Sequence, residues 1–370
     1  MKDALAERLL AIVMNWKEED VARERPDLQA MAAYKYDEYR QFSPGMRFVE
    51  SLALWLNQFE AHDERAIAYG FVKKKLVFCS SAEMYHLVAM AYKDYVRPYL
   101  LQKTAVEAGL SPWSVGPAAR LQSFAVRERR CLFLGLSDGA RMDAFRRLNP
   151  NLSHEQVRHS HELSDERVEE LLSKLGEGLK EVLGEEPATE LATFRTLVLL
   201  DDFSGSGYSY LRKKEGEFKG KLAALCSNVC NSNHMLSKLV ASDGREVVVV
   251  LYMATEKAAG TIRGLLKEML SPMKIEFEVF VVFPLAESVA LSSSTAGDFG
   301  KLIEKYYDDA NETPSTKLGG TDLRYGFGSC GLPLILNHNT PNNSIALLWA
   351  NGTRMKALFQ RVSRFKKEKV

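Results

Sequence analysis

Two adjacent aspartates, Asp201 and Asp202, follow the apolar run LVLL (Leu197 to Leu200), and a string of small residues follows them at once. Ionised carboxylates accept hydrogen bonds from neutral hydroxyls or help to hold a hard cation such as Mg²⁺. Ser204, Gly205, Ser206, Gly207, Tyr208 and Ser209 offer backbone N–H groups and hydroxyls close together. Set at a helix N-terminus, such a cluster grips an anion. Carboxylates repel a bare phosphate, so the two halves have different tasks: sugar hydroxyls for the acids, a phosphate for the cradle. Together they describe a pocket for a ribose 5-phosphate, with Mg²⁺ as the expected cofactor and no other metal.

Other glycine motifs fail on spacing. A dinucleotide fingerprint needs G-x-G-x-x-G, and the sixth position counted from Gly205 is Tyr210. A Walker loop needs Lys after its last glycine, where this chain has Tyr208. A nucleophile elbow on Ser206 needs glycine at 204, which is serine. A strand–turn–helix corner whose aspartates merely cap the helix is the structural alternative.

The pocket needs a scaffold, and the pattern from Arg130 onward supplies one. CLFLGL (131–136), RTLVLLDD (195–202), REVVVVLYMA (245–254) and IEFEVFVVF (275–283) read as buried strands. Helical stretches such as 163–183 and 258–270 lie between them. Near-continuous Val and Leu strands alternating with helices imply an α/β fold with a mainly parallel sheet flanked by helices. Ligands of such sheets sit beyond the carboxyl ends of the strands, where Asp201 and Asp202 fall. Upstream, apolar residues recur at helical spacing, as in Leu5, Leu9 and Val13 and again in Phe48, Leu52, Trp55, Leu56 and Phe59. SPG at 43–45 breaks that pattern, KLVFCSS reads as a short strand, and Ser80 with Glu83 has the spacing of a capping box. Pro98 is expected to kink or end the helix that follows. The expected organisation is a mostly helical region over 1–125, an α/β core over 126–290, and a C-terminal extension over 291–370 packed on that core.

The chain has 370 residues, 46% hydrophobic and 26% charged, with a net charge of +1. Such a balance provides no global field for nucleic acid or membrane. The five scattered cysteines read as reduced, and acidic residues break the apolar spacing of the N-terminus, unlike a signal peptide. Both point to the cytoplasm, and no run is long enough for a membrane span.

The sequence LVLLDDFSGSGYS resembles the signature of type I phosphoribosyltransferases. That resemblance implies that Asp201 and Asp202 bind the ribose hydroxyls of phosphoribosyl pyrophosphate, and that Ser206, Gly207 and Ser209 bind its 5-phosphate. It implies a pyrophosphate loop after an earlier strand, where CLFLGLSDGAR supplies Ser137, Asp138, Gly139 and Arg141. In the purine-salvage branch an aspartate three residues after the acidic pair serves as base, and here Gly205 stands there. SDGARMDAFRRLN, LDDFSGSG and CGLPLILNHNTPNNS together resemble phosphoribosyltransferase-like proteins of bacterial conflict and antiviral defence loci. The implied function is binding of phosphoribosyl pyrophosphate or a nucleotide, with transfer or cleavage at ribose C1. The alternative is a catalytically inactive effector subunit that senses a nucleotide or nucleic acid, and a defence-system protein or nucleic acid is the implied further partner.

Asn337, His338, Asn339, Asn342 and Asn343 carry directional donors and acceptors suited to a nucleobase edge or a partner, and equally to a turn. His154, Arg158, His159 and His161 would neutralise a leaving pyrophosphate or stand in a solvated loop. Cys226, Cys230 and His234 have metal-ligand spacing, but no fourth ligand is evident. The basic runs at 72–75, 127–130, 212–214 and 365–369 read as solvated faces unless the fold gathers them against nucleic acid.

Overall fold

The computed structural model describes residues 3–159, 164–309, 312, 316–320, 322–352 and 355–362. It divides into two compact units, one of Met1–Glu83 with Ala286–Val370 and one of Met84–Leu285. Residues 84–125 therefore belong with the α/β unit, and the C-terminal segment shares a unit with the N-terminal helices.

In the first unit, α1 (Asp3–Val13), α2 (Glu18–Tyr34), α3 (Phe48–Leu56) and α4 (His62–Lys75) lead to a three-residue strand, β1 (Val77–Cys79). Helix α3 is buried at Phe48, Leu52, Ala53, Trp55 and Leu56, so almost its whole girth is core. That core also takes in Phe299, Ile303, Ile335, Leu348 and Phe359 from the far end of the chain. Trp55 Nε1 donates to the Leu347 carbonyl at 3.0 Å, and Ser51 Oγ donates to that of Leu358 at 2.8 Å.

The second unit begins inside α5 (Ser81–Met90), which carries the expected capping box: the Glu83 N–H donates to Ser80 Oγ and the Ser80 N–H to Glu83 Oε2. A π-helical turn (Ala91–Val96) leads into α6 (Arg97–Glu107), with Pro98 in its first turn. Pro98 does not end the helix: the helical run continues from Ser81 to Glu107, and the wider turn before the ring absorbs the lost N–H and its crowding. Two short helices, α7 (Val115–Ala118) and α8 (Gln122–Arg129), precede the sheet.

The chain then alternates as the Val and Leu runs predict. It passes through β2 (Cys131–Gly135), α9 (Met142–Leu148), β3 (Val157–Arg158), α10 (Asp165–Leu183) and β4 (Thr196–Ser204). A hairpin of β5 (Arg212–Lys214) and β6 (Glu217–Lys219) is followed by α11 (Lys221–Cys230) and α12 (Met235–Leu239). Then come β7 (Glu246–Thr255), α13 (Glu256–Leu270) and β8 (Glu276–Leu285). Two later elements, α14 (Gly297–Tyr306) and β9 (Leu334–Leu336), belong to the first unit with α15 (Ala346–Trp349), and β9 pairs in parallel with β1.

Five strands form one sheet in the order β3-β2-β4-β7-β8, all parallel. Parallel strands bury both faces. On one face Leu132, Leu134, Leu197, Leu199, Val247 and Val249 pack against Val168, Leu171, Leu175 and Leu179 of α10 and Ile262 and Leu266 of α13. On the other, the Phe133 ring meets Phe145 at 5.2 Å and Tyr92 at 5.7 Å. Each such buried side chain is worth about 1.5–3 kcal/mol of apolar burial, which fixes the register of the strands that carry the aspartates. The connection after β2 runs out to β3, whereas that after β4 runs the other way toward β7. Their loops diverge, and a crevice at such a switch point is where open α/β sheets hold ligands.

Candidate functional site

The loop after β2 is built to approach its neighbour closely. Leu136 N donates to the Leu200 carbonyl at 2.9 Å, which carries the pairing past the end of β2. Ser137 then caps a tight turn, its Oγ accepting from Gly139 N at 3.2 Å. Arg141 closes the turn in the left-handed region at φ 50°, uncommon for a residue with a side chain. From behind, the buried Tyr252 hydroxyl donates to the Ala140 carbonyl at 2.6 Å. The loop thus rests on β7, two strands away, and the turn brings Gly139 against the carboxylate of Asp202.

The aspartates stand inside β4 rather than beyond it, because β4 and β7 stay in register as far as Ser204 and Ala254. Successive strand residues face opposite ways, so the two acids have different surroundings. Asp201 is 0% exposed. Its Oδ1 accepts from Ser137 Oγ and from the Asp202 N–H at 3.1 Å; its Oδ2 accepts from Tyr210 OH at 2.7 Å and Lys221 Nζ at 3.1 Å. Burial, and then the charge of Asp202, hold its pKa above the ordinary carboxyl value, against the pull of Lys221, Ser137 and Tyr210. Asp202 is half-buried, with Oδ1 accepting from the Phe203 N–H at 2.8 Å.

The small residues form the expected compact turn, but not at a helix N-terminus. Gly205 to Tyr210 lead into the β5–β6 hairpin, and the next helix, α11, begins only at Lys221. Its first N–H groups, those of Lys221 and Leu222, donate to the carbonyls of Ser209 and Tyr210 at 3.3 and 2.9 Å. The cradle itself therefore closes the end of α11. Gly207 has φ 80°, and a β-carbon there would lie 3.1 Å from the Ala258 carbonyl, so α13 presses directly on the turn. Thr255 joins the two: its Oγ1 donates to the Gly205 carbonyl at 2.7 Å and accepts the Ala258 N–H at 3.0 Å as N-cap of α13. Ser204 and Ser206 are buried, Ser206 Oγ accepting from Tyr208 N at 3.4 Å, whereas Ser209 is exposed.

Ser137, Gly139, Asp201 and Asp202 therefore come together, and the cradle adjoins them through Tyr210 and Lys221. His159 lies on the β3 side, its carbonyl beside Gly135 and its Nε2 3.4 Å from Asp143 Oδ1. His154 is exposed, and His161 lies outside the described residues. The asparagine loop belongs to the other unit. There the Asn343 amide donates to the Phe327 carbonyl at 2.8 Å, Asn339 Oδ1 accepts from Val362 N, the Asn342 carbonyl accepts from Phe327 N, and the His338 carbonyl accepts from Gln41 Nε2. Asn337 is buried, its N–H donating to the Cys79 carbonyl.

The cysteine and basic clusters have structural uses. His234 Nδ1 accepts from Leu236 N to cap α12, Cys226 is buried with its thiol pushed up to about 12, and no metal-binding group of three ligands occurs among the described residues. In the run 127–130, Arg127 is buried against Glu246 at 2.9 Å and also pairs with Glu107, while Arg130 Nε donates to the Thr193 carbonyl. At 72–75, Lys73 pairs with Glu24 and Asp27. The run 365–369 lies outside the described residues. No described helix is long and apolar enough to cross a membrane.

Sequence reasoning missed Tyr210, Lys221, Tyr252 and Thr255. Tyr210 directly follows the LVLLDDFSGSGYS stretch, and its signal was a tyrosine nine residues after Asp201. Lys221 follows an inserted hairpin, so no spacing announced it.

The PRTase-CE family model matches residues 52–361. No curated protein and no solved structure matches the chain. With most of the sequence covered, and an α/β unit whose parallel sheet is flanked by helices, the chain belongs to the PRTase-CE family of phosphoribosyltransferase-like proteins.

Proposed function

We propose that the α/β unit binds a ribose 5-phosphate ligand, either phosphoribosyl pyrophosphate or a nucleotide, at the switch point between β2 and β4. One observation carries this reading: the loop after β2 meets the aspartate pair at the end of β4, Gly139 against Asp202 and Ser137 on Asp201, and Tyr210 at the end of the hydroxyl-bearing cradle bonds Asp201 as well. Asp202 accepts from a sugar hydroxyl, Ser209 and the cradle meet the 5-phosphate, and the turn closed by Arg141 meets the pyrophosphate. Mg²⁺ fits as a ligand-borne ion, since it is commonly held by one or two carboxylates plus substrate phosphates, and Asp202 is the residue that would reach it. In turnover the bond from C1 to pyrophosphate breaks through an oxocarbenium-like transition state and a nucleophile, a base or water, bonds to C1. The chain's part is to orient the sugar and to steady the leaving charge. Titration calorimetry with phosphoribosyl pyrophosphate and a set of nucleotides tests the reading. Saturable binding to wild type, lost in Asp202→Asn, is expected; no binding to any of them overturns it.

A second reading, a sensing subunit without turnover, is favoured by Gly205, which has no side chain and whose carbonyl is held by Thr255. Binding without pyrophosphate or base release supports it, and release of either refutes it. A role in antiviral defence rests on the motif resemblance, and phage challenge of cells carrying wild type or Asp202→Asn tests it.

A further inference from the structure

We infer that Lys221 is the cation that the ligand's phosphate meets, a contact that the cradle motif does not contain. The inference rests on the ribose-phosphate reading of the site and adds a residue to it. A phosphate placed beside Asp202 needs a positive charge, which the cradle lacks, and several of the donors that the motif suggests already have partners. The first N–H groups of α11 are closed by the Ser209 and Tyr210 carbonyls, and the Ser206 hydroxyl is turned to Tyr208 N.

The other basic side chains between Tyr208 and Lys221 are engaged away from the aspartate pair. Arg212 Nη1 donates to the Tyr208 carbonyl, Lys213 pairs with Glu268, Lys214 with Glu215 and Lys219 with Glu217. Between Tyr208 and Lys221, only Lys221 is directed at the aspartate pair, 3.1 Å from Asp201 Oδ2. An ammonium has three donors, of which this pair uses one. The side chain is 35% exposed, and its own backbone N–H bonds to the Ser209 carbonyl, beside the exposed hydroxyl of the cradle.

Its position is also fixed. The ammonium lies 5.2 Å from the Tyr210 ring centroid. Gly220, just before it, has φ 120° and packs so closely on Tyr210 that a β-carbon would stand 2.5 Å from the Tyr210 carbonyl. The β5–β6 hairpin thus returns the chain to the cradle at one defined point and presents a lysine there.

The test separates contact with the ligand from action through Asp201. Ribose 5-phosphate and phosphoribosyl pyrophosphate are titrated calorimetrically into wild type, Lys221→Met, Lys221→Arg and the double variant Asp201→Asn with Lys221→Met, with circular dichroism as the check on folding. Lys221→Met should bind both probes about tenfold to a hundredfold more weakly, the range of a lost charged hydrogen bond, and Lys221→Arg should keep most of the affinity. The double variant restores a neutral interior but supplies no cation, so it should stay as weak as Lys221→Met, and it reads the contact even if the single variant fails to fold. Wild-type affinity in either Met-bearing variant overturns the inference while leaving the ribose-phosphate reading intact. Absence of binding to wild type overturns both.

Discussion

A β-carbon placed on Gly139 would stand 2.3 Å from Oδ2 of Asp202, so the loop after β2 reaches the acidic pair only because residue 139 has no side chain. Glycine is used here for close approach: its φ does not lie in the left-handed region. The obstructing atoms are the far end of a short side chain, which can rotate away. Gly139→Ala should therefore cost less than about 1 kcal/mol of stability, below the usual range for overpacking, because Asp202 swings aside instead of the backbone. The rotated carboxylate no longer faces the crevice, and affinity for phosphoribosyl pyrophosphate should fall at least about tenfold. Urea unfolding together with calorimetry checks both halves. A large stability loss with unchanged binding would show that the contact serves packing alone.

Asp201 permits a prediction in pH. Its folded pKa lies above the ordinary value of 3.8, raised first by burial and then by Asp202. Between the unfolded and folded values the native state holds more protons, so unfolding free energy falls as pH rises. The contribution is whole below the unfolded value and lost once pH has passed the folded one. Asp201→Asn removes this dependence while adding a constant offset from its misplaced amide donor. The difference in urea-unfolding free energy, wild type minus variant, should decline as pH rises from about 3.5 and then flatten. A difference that grows instead would mean that the donors from Ser137, Tyr210 and Lys221 outweigh burial.

These relationships mark how far the sequence could be read. The strands of the sheet were legible because runs such as Val247–Val250 are buried on both faces, and that requirement is written in composition. The acidic pair was legible as a site, but not as two unlike residues. Strand alternation sends Asp201 inward, and one hydroxyl from the loop after β2, one phenol and one lysine meet it there, from three segments whose convergence only the fold determines. The helix N-terminus expected behind the cradle was displaced by a hairpin whose short strands carry no apolar pattern. Pairing of β1 with β9 joins residues 77–79 to 334–336, and strands of three residues carry too little pattern to announce so distant a partner. The basic run 127–130 misled because charge runs are usually solvated, although Phe124 and Arg127 share one face of α8 and both are buried.

That run supplies the last prediction. Arg127 and Glu246, 3% and 2% exposed, form an ion pair 2.9 Å long, and Thr196 Oγ1 and Tyr99 OH also reach Glu246, at 3.3 and 3.4 Å. Thr196 and Glu246 open β4 and β7, so the pair lies at the amino edge of the sheet, the strand lengths away from Asp202. Removing one member takes from the other its fully buried partner, leaving, among the described residues, Arg127 only the half-exposed Glu107 and Glu246 only Arg195 at 3.6 Å. Glu246→Gln should therefore cost about 3–5 kcal/mol in urea unfolding, whereas Arg127→Met together with Glu246→Met should cost less than Glu246→Gln alone, since apolar side chains replace both charges. Binding of phosphoribosyl pyrophosphate by the folded variants should match wild type, because nothing at the carboxyl edge has changed. If Arg127 instead belonged to a nucleic-acid surface, Arg127→Met would leave stability intact and weaken a salt-sensitive affinity for nucleic acid, and a gel-shift titration at two salt concentrations distinguishes the two outcomes.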